Sequence, residues 1–214
     1  VTVTVTASSP ASAGGAISPT TPPPPTTPPS PTATASATPD ASHAGRGTTE
    51  PTPCAIQPWG WFEGALMLIE GAPEKLGCPV DEVRTVTAVT QDFERGILVW
   101  REDEGLIYVV YDAGGWEAYP DAWQEGMPET DPAFGPPPDG KIQPRRGFGL
   151  VWAEQQGVRE ALGWALNEER SCDDAHVQPF EGGLGFSCTH DVVPGAKIYV
   201  FTFYDDFSYG LYLP

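Results

Sequence analysis

Two regions of the chain hold clusters of apolar residues whose spacing predicts paired strands. In the first, "DFERGILVW" (92–100) and "LIYVVY" (106–111) flank the polar turn "REDEG" (101–105). In the second, "HVQPFEGGLGFSC" (176–188) precedes "KIYVFTFY" (197–204). Short runs rich in Val, Ile, Tyr and Phe between polar or glycine-containing turns are typical of strands. Each region predicts a hairpin that is followed by an aromatic strand, "GWEAYPDAW" (115–123) or "FSYGLYLP" (207–214).

A helical pattern precedes the second hairpin. In "GLVWAEQQGVREALG" (149–163), Val151, Val158 and Leu162 have helical spacing, and Gly163 stands where a helix C-cap is expected. A comparable stretch before the first hairpin also ends at Leu–Gly, at Leu76 and Gly77. We therefore predict a short helix ahead of each hairpin.

The same phrases occur twice and in the same order, which predicts an internal duplication. "AIQP" (55–58) matches "KIQP" (141–144), "KLGCPVDE" (75–82) matches "ALGWALNE" (161–168), and "QDFERG" (91–96) matches "QPFEGG" (178–183). We predict a mostly β fold with short helices, a β-rich α+β class, built as two tandem homologous units. Their expected bounds are 54–126 and 141–214, with a proline-rich connector over 127–140.

The aromatic residues suggest how each unit is stabilised. All seven Trp, seven Tyr and nine Phe follow residue 53, a density that allows a small core in each unit. Within the repeated phrase, we expect Phe93 and Phe180 to anchor that core at a bend or bulge. The repeated phrase then describes architecture.

The repeated residues resemble the LGFP repeat of secreted bacterial cell-envelope proteins. The first unit has Leu76-Gly77-x-Pro79, Glu82 and Gln91-x-Phe93-x-x-Gly96. The second has Leu162-Gly163, Glu168 and Gln178-x-Phe180-x-x-Gly183, but Ala165 replaces the proline. The resemblance covers roughly residues 55–110 and 141–203. It implies an extracellular, envelope-associated or adhesive role, and it transfers no catalytic residue.

The chain begins with two segments of unusual composition. "VTVTVT" (1–6) alternates strictly, so Val1, Val3 and Val5 would share one face of a strand. Residues 7–53 are dominated by Ser, Thr, Pro, Ala and Gly, which predicts either a disordered spacer or an extended polyproline-type stalk with a reach of roughly 120 Å. For residues 1–6 we expect one of three things: a frayed terminus, the remnant of a removed segment, or a strand that a neighbouring subunit accepts. Candidates for O-linked glycosylation in the stalk are Thr20, Thr21, Thr26, Thr27 and Thr32.

The net charge and the lengths of the apolar runs argue against nucleic acid and a membrane as partners. The formal net charge is −18, which argues against nucleic acid as a partner because binding to phosphates needs clustered Lys and Arg. No run of apolar residues is long enough for a membrane helix, so we expect no membrane insertion.

Four cysteines favour an oxidising, extracellular location with two disulfides. Proximity in sequence favours Cys54–Cys78 and Cys172–Cys188, although four cysteines allow three pairings. The spacing of Cys172, His176, Cys188 and His190 also suits zinc, but a disulfide beside two exposed histidines is the preferred interpretation. Acidic pairs and triplets such as Glu102-Asp103-Glu104, Asp173-Asp174 and Asp205-Asp206 are interpreted as solvated turns and not as calcium ligands. We predict no metal site.

The sequence offers little for catalysis. It contains no GxSxG turn, phosphate loop or dinucleotide fingerprint. Glu94 and Glu181 would suit glycoside hydrolysis only if the two units faced each other across a cleft. We predict no enzyme and no cofactor.

Two functions remain. The first is a structural subunit of an extracellular fibre or surface assembly, in which the N-terminal strand joins each copy head-to-tail to the next. The second is a carbohydrate- or cell-wall-binding module on a passive stalk, with envelope glycans as partners. Tryptophans would stack on the sugar rings in that case, and the candidates are Trp59, Trp61, Trp116 and Trp123.

Overall fold

The computed structural model describes residues 53–190 and 197–214, within a compact unit that spans residues 50–214. The predicted strand at residues 1–6, most of the stalk and the five candidate threonines lie outside the described residues. The described elements follow each other in the order α1 (Gly60–Leu68), α2 (Ala72–Leu76), β1 (Arg84–Thr85), β2 (Ala88–Phe93), β3 (Gly96–Arg101), β4 (Leu106–Tyr111), β5 (Trp116–Pro120), a 3-10 turn (Pro132–Phe134), α3 (Arg146–Glu154), α4 (Gln156–Leu162), β6 (Arg170–Ser171), β7 (Asp174–Phe180), β8 (Gly183–His190), β9 (Lys197–Tyr204) and β10 (Tyr209–Tyr212).

The strands form two five-stranded antiparallel sheets. One sheet has the order β5-β4-β3-β2-β6 and the other the order β1-β7-β8-β9-β10. The two short strands are exchanged between the halves of the sequence: β1 pairs with β7, and β6 pairs with β2. The β-rich fold class with few short helices is confirmed.

The two sheets face each other and each carries helices on its outer face, so the unit has four layers. The central layer is apolar and contains residues from both sheets, including Val99 and Tyr108 from one and Phe186 and Phe201 from the other. A second cluster lies between the β2–β5 sheet and α3–α4, and a third between the β7–β10 sheet and α1–α2.

This arrangement explains the continuous apolar run in "LIYVVY". Tyr108 and Val110 of β4 face the central layer, whereas Ile107 and Val109 face the helices. A strand that is buried on both faces has no polar alternation to show.

The helices do not pack on the sheet of their own half. Phe62 and Leu76 of α1 and α2 pack with Phe180 and Val200, which belong to the second half. Likewise Trp152 and Leu162 of α3 and α4 pack on Leu98, Ile107 and Val109 of the first half. The expectation of a separate small core in each unit is therefore wrong, because every helix–sheet core combines residues from both halves.

The hairpins also differ from the expected ones. "DFERGILVW" is not one strand: it turns at Glu94–Arg95, where Phe93 pairs directly with Gly96. In the second half Phe180 pairs with Gly183 in the same way, so each phrase makes a tight turn and no bulge. The helical stretch 149–163 is likewise two helices separated at Gln155, and the connector holds one 3-10 turn.

Both disulfides have the pairing that sequence proximity favours, Cys54–Cys78 and Cys172–Cys188. Cys172 directly follows β6 and donates its N–H to Ala88 of one sheet, while Cys188 lies in β8 of the other. The second disulfide therefore ties the two sheets together, and each disulfide stays within one half of the sequence.

Candidate functional site

The repeated phrase binds the Leu–Gly loop of the opposite half. Glu181 accepts a hydrogen bond from the Cys78 N–H at 3.1 Å, and Glu94 accepts one from the Trp164 N–H at 3.0 Å. Backbone bonds run in the other direction, from the Glu181 N–H to Cys78 O and from the Glu94 N–H to Trp164 O. These hydrogen bonds connect a helix end of one half to a strand turn of the other, and we call each such contact a clasp.

Two glycines make this clasp possible. Gly77 and Gly163 adopt φ values of 68° and 76°, a left-handed region that disfavours other residues. A Cβ atom at either position would also collide with the carboxylate of Glu181 or Glu94. The Leu–Gly pair is therefore needed for a close approach, and not for chemistry on a ligand.

Glu94 and Glu181 lie in turns of different sheets, and each carboxylate caps a loop of the opposite half. The hydrogen bond from Trp164 and the ion pair with Lys141 lower the pKa of Glu94. Each carboxylate is occupied by the opposite half.

The candidate zinc ligands are occupied in other ways. Both cysteine sulfurs are in the disulfide, so neither is a thiolate. His190 is buried and not exposed as expected, and burial lowers its pKa. Its Nδ1 lies 3.0 Å from Ser171 O and its Nε2 lies 2.8 Å from Thr90 Oγ1. His176 stacks on the Trp59 ring with centroids 4.1 Å apart.

Two acidic clusters are organised by cations of the protein itself. The Arg101 guanidinium is fully buried and pairs with Asp103 at 2.9 Å and Glu104 at 3.3 Å. Hydrogen bonds from Ser208 and Lys75 lower the pKa of Asp206 to about 2. These carboxylates satisfy cations and turn donors already present in the chain.

The four candidate stacking tryptophans have different surroundings. Trp59 and Trp61 pack against the apolar cluster between the β7–β10 sheet and α1–α2. Trp116 packs between Tyr108 and Phe203 beside a cavity of about 200 Å³. Trp123 lies at the rim of two larger cavities, of about 280 Å³ and 390 Å³. Trp123 is the candidate best placed to meet a ligand.

The 280 Å³ cavity lies between the β2–β5 sheet and the start of α3, and we call it the Trp123 cavity. Its apolar lining comes from strands and helix, and its polar lining from three charged side chains. The lining residues are Val89, Trp100, Ile107, Asp121, Trp123, Arg146, Gly147, Phe148 and Glu169.

The charged groups of the cavity are arranged around Trp123. Arg146 lies over the Trp123 ring at 5.6 Å and donates two hydrogen bonds to Glu129, at 3.1 and 2.9 Å. Asp121 accepts a hydrogen bond from the Trp123 N–H. Burial raises the pKa of Glu169, against the opposing effect of Arg146. A half-buried carboxyl group and an arginine therefore line the same cavity as the Trp123 ring.

Arg146 also has a strained backbone. Its φ is 51°, a region that costs a non-glycine residue roughly 1–3 kcal/mol. The matching position in the first half is Gly60, which also has a positive φ of 29° and no side chain to strain. Strain of this kind clusters at functional sites, so the arginine is a functional candidate.

The corresponding place in the other half has different side chains. There Trp59 corresponds to Arg145 and His176 corresponds to Val89, and these two rings stack on each other. Trp100 likewise corresponds to the much smaller, buried Ser187. Sequence reasoning missed Trp100, Asp121, Arg146 and Glu169; the signal was the contrast between aligned positions, such as Arg146 against Gly60.

No protein-family model, curated protein or solved structure matches this chain. Among the described residues, no helix has the length and apolar character needed to cross a membrane.

Proposed function

We propose that the described unit is a carbohydrate-binding module of the cell surface and that the Trp123 cavity is its sugar site. The observation that carries the proposal is one cavity lined by the Trp123 ring, by apolar side chains and by the charged groups of Asp121, Arg146 and Glu169, with Arg146 over the ring. Sugar sites need this combination, because a sugar ring has an apolar face and a rim of hydroxyl groups.

The three charged side chains suit hydroxyl groups. A carboxylate accepts hydrogen bonds from hydroxyls, and a guanidinium donates to their oxygens. The carboxyl group of Glu169 has no partner of its own within hydrogen-bonding distance among the described residues, so its acceptors are free for a ligand. Arg146 is already held by Glu129, which fixes its position before binding.

The ligand is proposed to be longer than one sugar. A second cavity of about 390 Å³ shares Trp123 and Arg146 with the first and is lined also by Met127, Pro132 and Leu150. Pockets for small ligands span about 300–1,000 Å³, so two adjoining cavities suit a short stretch of glycan.

The rest of the chain supports a surface location. Two disulfides fit an oxidising compartment, and the sequence predicts a proline-rich stalk ahead of the unit. We propose that the two halves are homologous units of a duplicated chain. The Trp123 cavity then lies between α3–α4 of the second unit and the β2–β5 sheet of the first. Secretion, an envelope glycan partner and the LGFP resemblance stand as parts of this proposal.

Glycan titration of the full chain tests the proposal. The probes are chitooligosaccharides, soluble disaccharide-peptide fragments of peptidoglycan, and a neutral α-glucan as comparison, followed by tryptophan fluorescence and calorimetry. We expect Trp123→Ala and Glu169→Gln each to weaken the binding of the preferred glycan about tenfold or more, roughly 1.4 kcal/mol.

The matched control is Glu125→Gln, a nearby exposed carboxyl outside the cavity lining, which should bind as the parent does. All three variants should unfold at the parent's urea midpoint. If none of the probes binds at millimolar concentration, or if Trp123→Ala binds as tightly as the parent, the sugar site is refuted.

A further inference from the structure

One sheet edge is left open at β10, the last strand of the β1-β7-β8-β9-β10 sheet. Tyr204 and Ser208 are hydrogen-bonded partners at the turn, so Gly210 and Tyr212 are the residues of β10 that bond to β9. The N–H and C=O groups of Tyr209 and Leu211 therefore point outward. Within the described residues they have no backbone partner on that side.

The three other sheet edges are protected. β1 and β6 are only two residues long. β5 carries Pro120, which has no N–H, and its Trp116 N–H is already bonded to Phe207 O. Short strands and prolines are the usual devices that prevent edge-to-edge pairing. β10 has neither over Tyr209–Tyr212.

The open edge is also apolar. Leu211 is 41% exposed and Leu213 is 62% exposed. Met67 and Leu68 of α1, the helix that packs over β10, are exposed as well. Three of the eight large hydrophobic side chains exposed in the described residues thus belong to α1 and β10, and Leu213 directly follows β10. An added strand would gain both backbone hydrogen bonds and apolar contacts there.

We propose that β10 accepts residues 1–6 of a second copy of this chain as an additional strand. The segment "VTVTVT" offers β-branched residues throughout, with Val1, Val3 and Val5 on one face to cover Leu211 and Leu213. The segment contains no charge and no proline that would oppose pairing.

A second copy is the occupant that fits the chain. Residues 7–52 separate the donor strand from the folded unit, and their proline-rich composition favours an extended form that reaches roughly 120 Å. A segment of that length and composition is long enough for the strand to reach β10 of a neighbouring copy. Because donor and acceptor are different surfaces, the contact is heterologous and extends into a filament unless its rotation closes a ring.

Two single substitutions separate donor from acceptor. Leu211→Pro removes the outward N–H of β10 without removing a bond to β9, and proline is tolerated on edge strands. Val3→Pro removes a donor N–H from the other partner. Leu211→Ala is the matched control, because it keeps the N–H and shows what the side chain contributes.

Sedimentation velocity of the full chain over a range of concentrations gives the result. We expect the parent to form a concentration-dependent series of oligomers, and Leu211→Pro and Val3→Pro each to stay monomeric. Mixed together, the two variants should form a one-to-one complex and stop there, because one intact donor meets one intact acceptor.

Two results would overturn the proposal: a monomeric parent at every concentration, or oligomers of Leu211→Pro equal to those of the parent. Should Leu211→Pro fail to keep the parent's urea midpoint, a synthetic peptide of residues 1–8 replaces it. This peptide should dissociate the parent's oligomers, and the same peptide N-methylated at Val3 should not. Glycan titration is expected to be unchanged by Leu211→Pro, so assembly and sugar binding fail or succeed separately.

Discussion

At the scale of single residues, the two copies of the repeated phrase are alike in sequence and unlike in bonding. Gln178 is buried and makes three hydrogen bonds: it accepts from the Trp59 N–H and donates to Gln57 O and Asp81 O. Gln91 is equally buried but donates only to Asn167 O, and its Oε1 has no partner among the described residues. The same residue type therefore makes more hydrogen bonds at position 178 than at position 91.

This inequality predicts different costs for the same substitution. Gln178→Met should lower the free energy of unfolding by about 2 kcal/mol or more, because it leaves several partly buried backbone groups without a hydrogen-bond partner. Gln91→Met should cost roughly 1 kcal/mol, since one of its polar atoms is already unpaired. Urea unfolding of both variants with intact disulfides provides the comparison. Equal costs would mean that the bonds of Gln178 add nothing.

The residues of the phrase could be predicted from the sequence, but their partners could not. Repetition alone marked Gln91, Phe93 and Glu94 and their counterparts as architectural. It could not show that Glu94 caps a loop about 70 residues further along, because a repeated pattern carries no information on which copy meets which. The cavity was harder still, since Asp121 and Arg146 come from different segments and belong to no repeated phrase.

At the scale of elements, the helix ends depend on glycines that face the opposite half. Gly163 ends α4 in a left-handed conformation directly against Glu94. Gly157, inside α4, has open space around its Cα position and an ordinary helical backbone. The two glycines belong to one short helix and have opposite requirements.

Alanine at these two positions should therefore have effects of opposite sign. Gly163→Ala should lower the free energy of unfolding by roughly 1–3 kcal/mol, because it combines backbone strain with a collision against the clasp. Gly157→Ala should raise it by up to about 1 kcal/mol, the difference in helix propensity between the two residues. Thermal and urea unfolding of both variants measure the effects. A harmless Gly163→Ala would show that the clasp can open without cost.

Elements were predicted better than their arrangement. The strands at 106–111 and 197–204 and the helical stretch ending at Leu162 could be located from apolar spacing. The turn inside "DFERGILVW" was missed although Glu94 and Arg95 are charged and exposed, because a polar break of only two residues was interpreted as part of one strand. The pairing of β1 and β6 with strands of the opposite half has no sequence signal, because a two-residue strand is too short to show a hydrophobic period.

At the scale of the whole molecule, the two halves are interleaved and not merely adjacent. The helices of each half cover the sheet of the other, and each half lends one short strand to the other's sheet. An interleaved pair of this kind has a shared stability, because neither half can bury its apolar faces alone. No disulfide crosses between the halves, so only the connector at 127–140 joins them covalently.

Cutting the connector tests this interdependence. A protease site placed in the full chain near the exposed Pro136 and Pro138 should be cleaved without loss of the near-ultraviolet circular dichroism of the tryptophans. The two pieces should remain together in gel filtration, because three apolar clusters that combine residues from both halves still hold them. Urea should separate them, and remixing after its removal should restore the signal.

Each piece by itself should lose that signal as a monomer, since α1 and α2 would lack the sheet they cover, and so would α3 and α4. The uncut chain carrying the same inserted site serves as the control for the insertion itself. A piece that unfolds cooperatively as a monomer would contradict the interleaved core and restore the picture of two independent units. A piece that folds only as a homodimer would agree with it, because two copies of one half can exchange helices as the two halves do within the chain.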